Sequence, residues 1–313
     1  MIDETKDIEK AIKNLDRIYQ NKIDLYKQKE KLIDMHTHTC FSDGELSPDE
    51  LINLAIENGV GILAITDHDT TEGIKKIDKN CPLIVDSGIK IIDGIEISAK
   101  ASKGSMHILG YGIDKYNKKL NNKLEELKNN SLYSVLSIII QIKNDYGISF
   151  SYDEIKEIID ADKNLGRPDI AKLCIKNGYA NSVQDAFDKY LIEAYNKTRK
   201  NNKGISYQEC IQLILESGGI PVLAHPKTLK LDDKELLYLL KDMINCGLQG
   251  IEVYHSSHTK EEISKYLKIA NELNLLISGG SDYHGSTVKP HINLGTGENN
   301  NLKIKKLSIL DRL

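Results

Sequence analysis

Apolar residues rich in Ile and Val gather in seven short runs, at 32–38, 60–67, 90–98, 106–113, 220–225, 248–254 and 275–279. Runs that are apolar on both faces predict buried strands of a parallel sheet covered by helices. Amphipathic stretches lie between them. Ser47 is placed as an N-cap, with Pro48 at the first helical position and Glu50 closing a capping box, and Leu51, Leu54 and Ala55 follow on one face. Similar spacing predicts helices over 207–216, 234–245 and 261–274, with Gly218 and Gly247 stopping the first two. This alternation predicts an α/β fold of βα units. Seven strands are enough to close a barrel, and an open doubly wound sheet is the alternative.

Two segments break the alternation. Residues 1–30 are highly charged, with Ile8, Ile12, Leu15 and Ile18 at helical spacing, and read as an N-terminal helical extension. Residues 115–204 show helical patterning and no clear strand. They read as an inserted helical subdomain, which divides the main domain into 31–114 and 205–313. The insert is either a lid that stabilises the rim or a wall of the substrate cleft.

Composition narrows the function classes. Among 313 residues, 42 Lys and Arg stand against 46 Asp and Glu, so no overall positive charge draws the chain to nucleic acid or an anionic membrane. The longest apolar stretch, 136–142, is too short to cross a bilayer, and the charged start lacks the apolar run of a signal peptide. The five cysteines are scattered and never form a CxxC pair, which disfavours a disulfide framework or a thiolate zinc site. A cytoplasmic setting with no membrane and no obligate protein partner is expected.

Polar residues are concentrated where the strands end. Seven of the 9 histidines (His36, His38, His68, His107, His225, His255 and His284) lie in or just after a predicted strand. The period of two in His36-Thr37-His38 sends both imidazoles to one side. Glu96 lies between Ile95 and Ile97, an unlikely place for a solvated charge, so a bridging ligand is its natural use. Asp43, in Ser42-Asp43-Gly44, reads alone as an Asx-turn, and His107 reads alone as a satisfied core residue. Taken together, Asp43, Glu96 and Asp282 with His36, His38, His68, His107, His225 and His284 form a nitrogen and oxygen donor set. It suits Mn, Fe or Zn and is too large for one tetrahedral ion.

In order along the chain, Asp34-Met-His36-Thr-His38, Ser42-Asp43-Gly44, Thr66-Asp67-His68-Asp69, Gly94-Ile-Glu96, His107, Ala224-His225-Pro226 and Gly280-Ser-Asp282-Tyr-His284 resemble the PHP (polymerase and histidinol phosphatase) family. Those proteins are metal-dependent phosphoesterases with a distorted (β/α)7 barrel. The chain is most similar to a branch that acts on nucleoside 3′,5′-bisphosphates and the 5′ ends of short RNA or DNA, whose members carry a helical insert at this place. Where that branch has Gly-Arg-Pro-His, this chain has Gly166-Arg167-Pro168-Asp169. The resemblance implies two or three divalent ions: one on His36, His38, Glu96 and Asp282, a second on bridging Glu96 with His107 and His225, and a third on Asp43, His68 and His284. It also implies a small phosphorylated nucleotide or a short single-stranded oligonucleotide as substrate.

Paired cations would neutralise phosphoryl oxygens and lower the pKa of bound water toward about 7. Were the third position empty, His68 and His284 could deliver a proton to the leaving oxygen. Asp67 is the candidate carboxylate for orienting an imidazole, and Asp69 either shares that role or caps a helix. Arg167 is a candidate fork for a phosphate, its alternative being a surface ion pair. Tyr254 and His258 are candidates for substrate contact, Tyr254 by stacking on a base. The competing readings are a phosphatase for another small phosphomonoester such as histidinol phosphate, a non-catalytic metal-binding module, and a C–N hydrolase on a similar barrel.

Overall fold

The computed structural model describes residues 4–160, 165–198 and 204–313. The first three residues of the expected extension, and 161–164 and 199–203 of the expected insert, lie outside the described residues. Strands β1 (Leu32–Asp34), β2 (Val60–Ile65), β3 (Lys90–Ala99), β4 (Met106–Tyr111), β5 (Ile220–Leu223), β6 (Gly250–His255) and β7 (Leu276–Gly280) form one sheet in sequence order. Met35 N to Gly279 O (3.2 Å) and His38 N to Tyr283 O (2.9 Å) join the β1 end to the β7 end, so the sheet curls into a distorted barrel.

The sheet differs from the all-parallel expectation at β4, which runs antiparallel to both β3 and β5. Only residues 100–105 connect β3 to β4. A parallel crossover needs roughly a dozen residues or more, so this loop can only turn the chain back.

Alternation along the strands builds two layers. Ile91, Ile95, Ile97, Ile108 and Leu223 face outward into a core shared with the helices. Ile33, Ile92, Leu109, Tyr111 and Val222 face the lumen, where Leu302, Ile304, Leu307 and Ile309 of the C-terminal segment close one end. The outer helices are α1 (Glu4–Gln28), α2 (Pro48–Asn58), the short α3 (Glu72–Lys75) and α4 (Pro82–Ser87), then α5 (Lys118–Tyr146). In α2 the Ser47 and Glu50 capping box forms as the pattern required. In α1, Ile23 and Tyr26 are buried, whereas Ile8, Ile12, Leu15 and Ile18 stay exposed.

After α5 come α6 (Tyr152–Asp160), α7 (Arg167–Lys176), α8 (Val183–Ala186), a π-helical turn (Phe187–Leu191) and α9 (Ile192–Thr198). Helices α10 (Tyr207–Glu216), α11 (Asp233–Asn245) and α12 (Lys260–Leu273) return to the barrel. The first half of α5 contributes Leu120, Leu124 and Leu127 to the barrel-side core. Its second half packs Val135, Ile138, Ile139 and Ile142 into a separate cluster with Ile170, Cys174, Leu191 and Ala194. The 29-residue helix thus carries the chain from one core to another.

Candidate metal centre

One rim of the barrel gathers the titratable side chains. Period-two geometry turns Ile95 and Ile97 toward the helices and leaves Glu96 facing inward, fully buried. His107 opens β4 rather than ending it. Because β4 is antiparallel, its start lies beside the end of β3, with His107 paired to Ser98. Gly280 lets β7 close against the segment that follows β1, since a Cβ there would lie 2.3 Å from His36 N. Two of the donors sit on strained backbone, His225 at φ 21° and Asp282 at φ 58°.

Glu96 is the hub. Its Oε1 lies 2.9 Å from His107 Nδ1 and 2.9 Å from His225 Nε2. Its Oε2 lies 3.0 Å from His36 Nε2, 3.2 Å from His38 Nε2 and 3.3 Å from His68 Nδ1. Asp282 Oδ1 completes one group at 3.5 Å from His36 Nε2 and 3.3 Å from His38 Nε2. Asp43 Oδ1 lies 3.2 Å from His284 Nε2 and 3.8 Å from His38 Nδ1. All nine donors expected from the sequence therefore converge. His38 stands in both the first group and the Asp43, His68 and His284 group.

These separations fit divalent cations. Bonds of about 2.1 Å place neighbouring ligand atoms about 3.0 Å apart in an octahedron and about 3.4 Å apart in a tetrahedron. Both ring nitrogens of His38 and Asp43 Oδ1 are buried and make no hydrogen bond among the described residues, as expected where one imidazole nitrogen and a carboxylate oxygen are kept for a metal. The donor types and spacings are those a divalent metal ion takes.

Electrostatics agree with this reading. Burial opposes ionisation of Glu96, yet the imidazoles of His36, His68 and His107 hold its carboxyl well below the usual range. Burial pushes the His68 imidazole down to about 3 and lowers His225 and His284. Burial also disfavours protonation of His38, but the carboxylates of Asp282, Glu96 and Asp43 beside the ring raise it to about 9. Protons on His38 thus balance the surplus carboxylates, and a cation taking the same lone pairs would release them.

Several supporting contacts escaped the sequence reading. Glu252 is fully buried; its Oε1 lies 2.9 Å from His36 Nδ1 and its Oε2 accepts from His225 N at 2.7 Å. A usable signal existed, because Glu252 lies between Ile251 and Val253 just as Glu96 lies between isoleucines. Asp34 accepts from Ser281 N and Oγ and from Gly295 N (2.8, 2.6 and 2.8 Å), tying β1 to the loops after β7.

Other expectations are corrected. Asp67 orients no imidazole by a hydrogen bond: its oxygens accept from Thr39 N, Thr39 Oγ1 and Ser42 Oγ at 2.7, 2.6 and 2.7 Å, fixing the loop that carries Asp43. Among the described residues Asp69 caps no helix and instead accepts from Ser98 N at 2.8 Å. His258 is buried under His255, its Nδ1 2.9 Å from Val253 O, which leaves it no face for substrate. A register shift in β6 between Glu252 and Tyr254 puts Tyr254 beside Ile263 and residues 301–306 instead of among the donors. Among the described residues Arg167 forms no ion pair. Its guanidinium lies over the rings of Tyr195 (4.4 Å) and Phe187 (5.4 Å), while Asp169 accepts from Gly166 N at 2.8 Å.

Residues 34–280 match the PHP domain family. The chain is 31% identical over 255 residues to a 5′-3′ exoribonuclease of Haemophilus influenzae, covering 81% of this chain and 90% of that protein. It is 28% identical to a 3′,5′-nucleoside bisphosphate phosphatase of Chromobacterium violaceum, covering 80% and 87%. A solved structure described as a metal-dependent phosphoesterase of Bifidobacterium adolescentis superposes with a TM-score of 0.71 at 29% identity, covering 88% of this chain and 94% of that one. Among the described residues, no helix is long and apolar enough to cross a membrane.

Proposed function

The chain belongs to the PHP-domain family and is a metal-dependent phosphoesterase, and from that premise we propose that its substrates are 3′,5′-bisphosphorylated nucleosides or the 5′ ends of short oligonucleotides. The convergence of nine nitrogen and oxygen donors, Glu96 at their hub, carries the reading. The names of the two curated relatives support the substrate class.

His36, His38, Glu96 and Asp282 would hold one ion, Glu96 with His107 and His225 a second, and Asp43, His68 and His284 a third, the metals being Mn, Fe or Zn. When bound, such ions supply charge stabilisation to the phosphoryl oxygens and activate water as the nucleophile. The protein's part is to orient and to ground charge. Glu252 fixes the ring of His36, and Asp67 fixes the loop bearing Asp43. Burial keeps the imidazoles of His68 and His284 neutral, which favours lone-pair donation over proton delivery. Arg167, preorganised on its two rings, offers its N–H edge to a substrate phosphate.

The test is phosphate release from 3′-phosphoadenosine 5′-phosphate and from a 5′-phosphorylated dinucleotide with added Mn²⁺. Release is expected from the wild type and not from a His36→Ala/His38→Ala variant. Equal, background release from both would refute the reading, and histidinol phosphate in the same panel separates the competing phosphomonoester.

A further inference from the structure

Lys289, on the loop after β7, is a cation that the chemistry above does not use. Its Nζ donates to Asp282 Oδ2 at 2.5 Å, and His255 Nε2 lies 3.3 Å from the same oxygen. Asp282 Oδ1 faces the other way, toward His36, His38 and His284 at 3.3–3.5 Å. The carboxylate thus has one oxygen in the imidazole cage and one on an ammonium. Asp282 is 13% exposed and Lys289 37%, so the lysine reaches solvent more than the carboxylate it contacts.

The loop is held in place rather than left to drift. Lys289 N donates to Gly285 O at 2.9 Å, Thr287 N to Glu45 Oε2 at 3.0 Å, and Glu45 N to His284 O at 2.8 Å. The contact with Thr287 holds the Glu45 carboxyl below its ordinary range.

A fixed ammonium beside a metal-binding carboxylate draws charge from the ligand and repels the divalent ion beyond it. For metal binding alone it is therefore a poor choice, whereas a phosphate over the metal-loaded centre would gain from it. We propose that Lys289 is a substrate-binding residue that donates to an oxygen of the phosphate seated over the metal centre. An ammonium has three N–H donors, and Asp282 uses one. The inference rests on the phosphoesterase reading and assigns the rim of that site.

The experiment compares Mn-loaded wild type, Lys289→Met, Lys289→Arg and the His36→Ala/His38→Ala variant. It measures bound Mn per chain, inorganic phosphate binding by calorimetry, and kcat and KM. Lys289→Met is expected to keep its Mn, to weaken phosphate binding and raise KM about tenfold or more, and to be largely rescued in Lys289→Arg, the loss expected for one charge-assisted hydrogen bond. Unchanged phosphate affinity in Lys289→Met overturns the proposal. Loss of Mn in Lys289→Met overturns it too, because the lysine would then serve only to hold Asp282. Lys289→Arg guards against a folding defect: failure of the arginine to restore phosphate binding in a folded, Mn-loaded protein likewise refutes it. A failure of the phosphoesterase reading looks different, with the wild type itself releasing no more phosphate than the double variant.

Discussion

Replacing Glu252 by Gln keeps the side chain's shape and removes its charge. The carboxylate serves two partners at once, the ring of His36 at 2.9 Å and the backbone N–H of His225 at 2.7 Å. Burial opposes its ionisation, yet the imidazoles of His36 and His255 bring its pKa down to about 2, so both oxygens act as acceptors near neutrality. An amide has one acceptor oxygen. With its NH₂ toward His225, a buried N–H on strained backbone at φ 21° loses its partner. With its NH₂ toward His36, the ring must move its proton to Nε2, the nitrogen that faces Glu96 and Asp282. Either orientation forfeits one charge-assisted bond, worth about 1.5–3 kcal/mol. If that loss falls on the metal-bound state, affinity drops by about 10- to 100-fold, the usual size for a contact that orients a metal ligand. Mn titration against a competing chelator, with elemental analysis and far-ultraviolet circular dichroism on both proteins, measures it. A folded Glu252→Gln protein that binds Mn with wild-type stoichiometry and affinity would refute the reasoning.

Three further outcomes follow from particular contacts. Arg167→Lys is expected to raise KM nearly as much as Arg167→Met, because only the planar guanidinium stacks on Tyr195 and Phe187; full activity in the lysine variant would contradict this. His258 has its pKa lowered by burial from 6.5 to about 4, so the unfolded chain takes up the proton first as pH falls and stability is lost between those values. The loss is about 2 kcal/mol at pH 5, and in chelator-treated protein His258→Gln should lower the difference in denaturant stability between pH 7.5 and pH 5 by that amount. Ile142→Ala, at a fully buried site in the second core, should cost about 2–5 kcal/mol in thermal or denaturant unfolding while leaving Mn content unchanged; loss of Mn would show that this core supports the barrel rim.

Local rules carried much of this protein. The seven strands lie where the Ile- and Val-rich runs stand, and the helix after Ser47 begins at its capping box, because backbone periodicity and capping depend on residues a few positions apart. The donor set was legible for the same reason: His36 and His38 share a side by the period of two, and a carboxylate between isoleucines must turn inward when both isoleucines face helices. The direction of β4 was implicit in the shortness of the 100–105 loop. What residues far apart do to one another was not legible. Glu252 meets His36 across 216 positions, and only closure of the sheet through β7 brings this β6 side chain within reach of the residues after β1. Asp67 has the pattern of an imidazole partner, but the loop after β1 folds over it and takes both oxygens. The stripe of Ile8, Ile12, Leu15 and Ile18 specifies a helix with an apolar face, but periodicity says nothing about what covers that face, and here it stays exposed. Sequence decides which side of an element is apolar or charged, whereas only the assembled barrel decides which distant group that side confronts, since that depends on long-range pairing that no local pattern encodes.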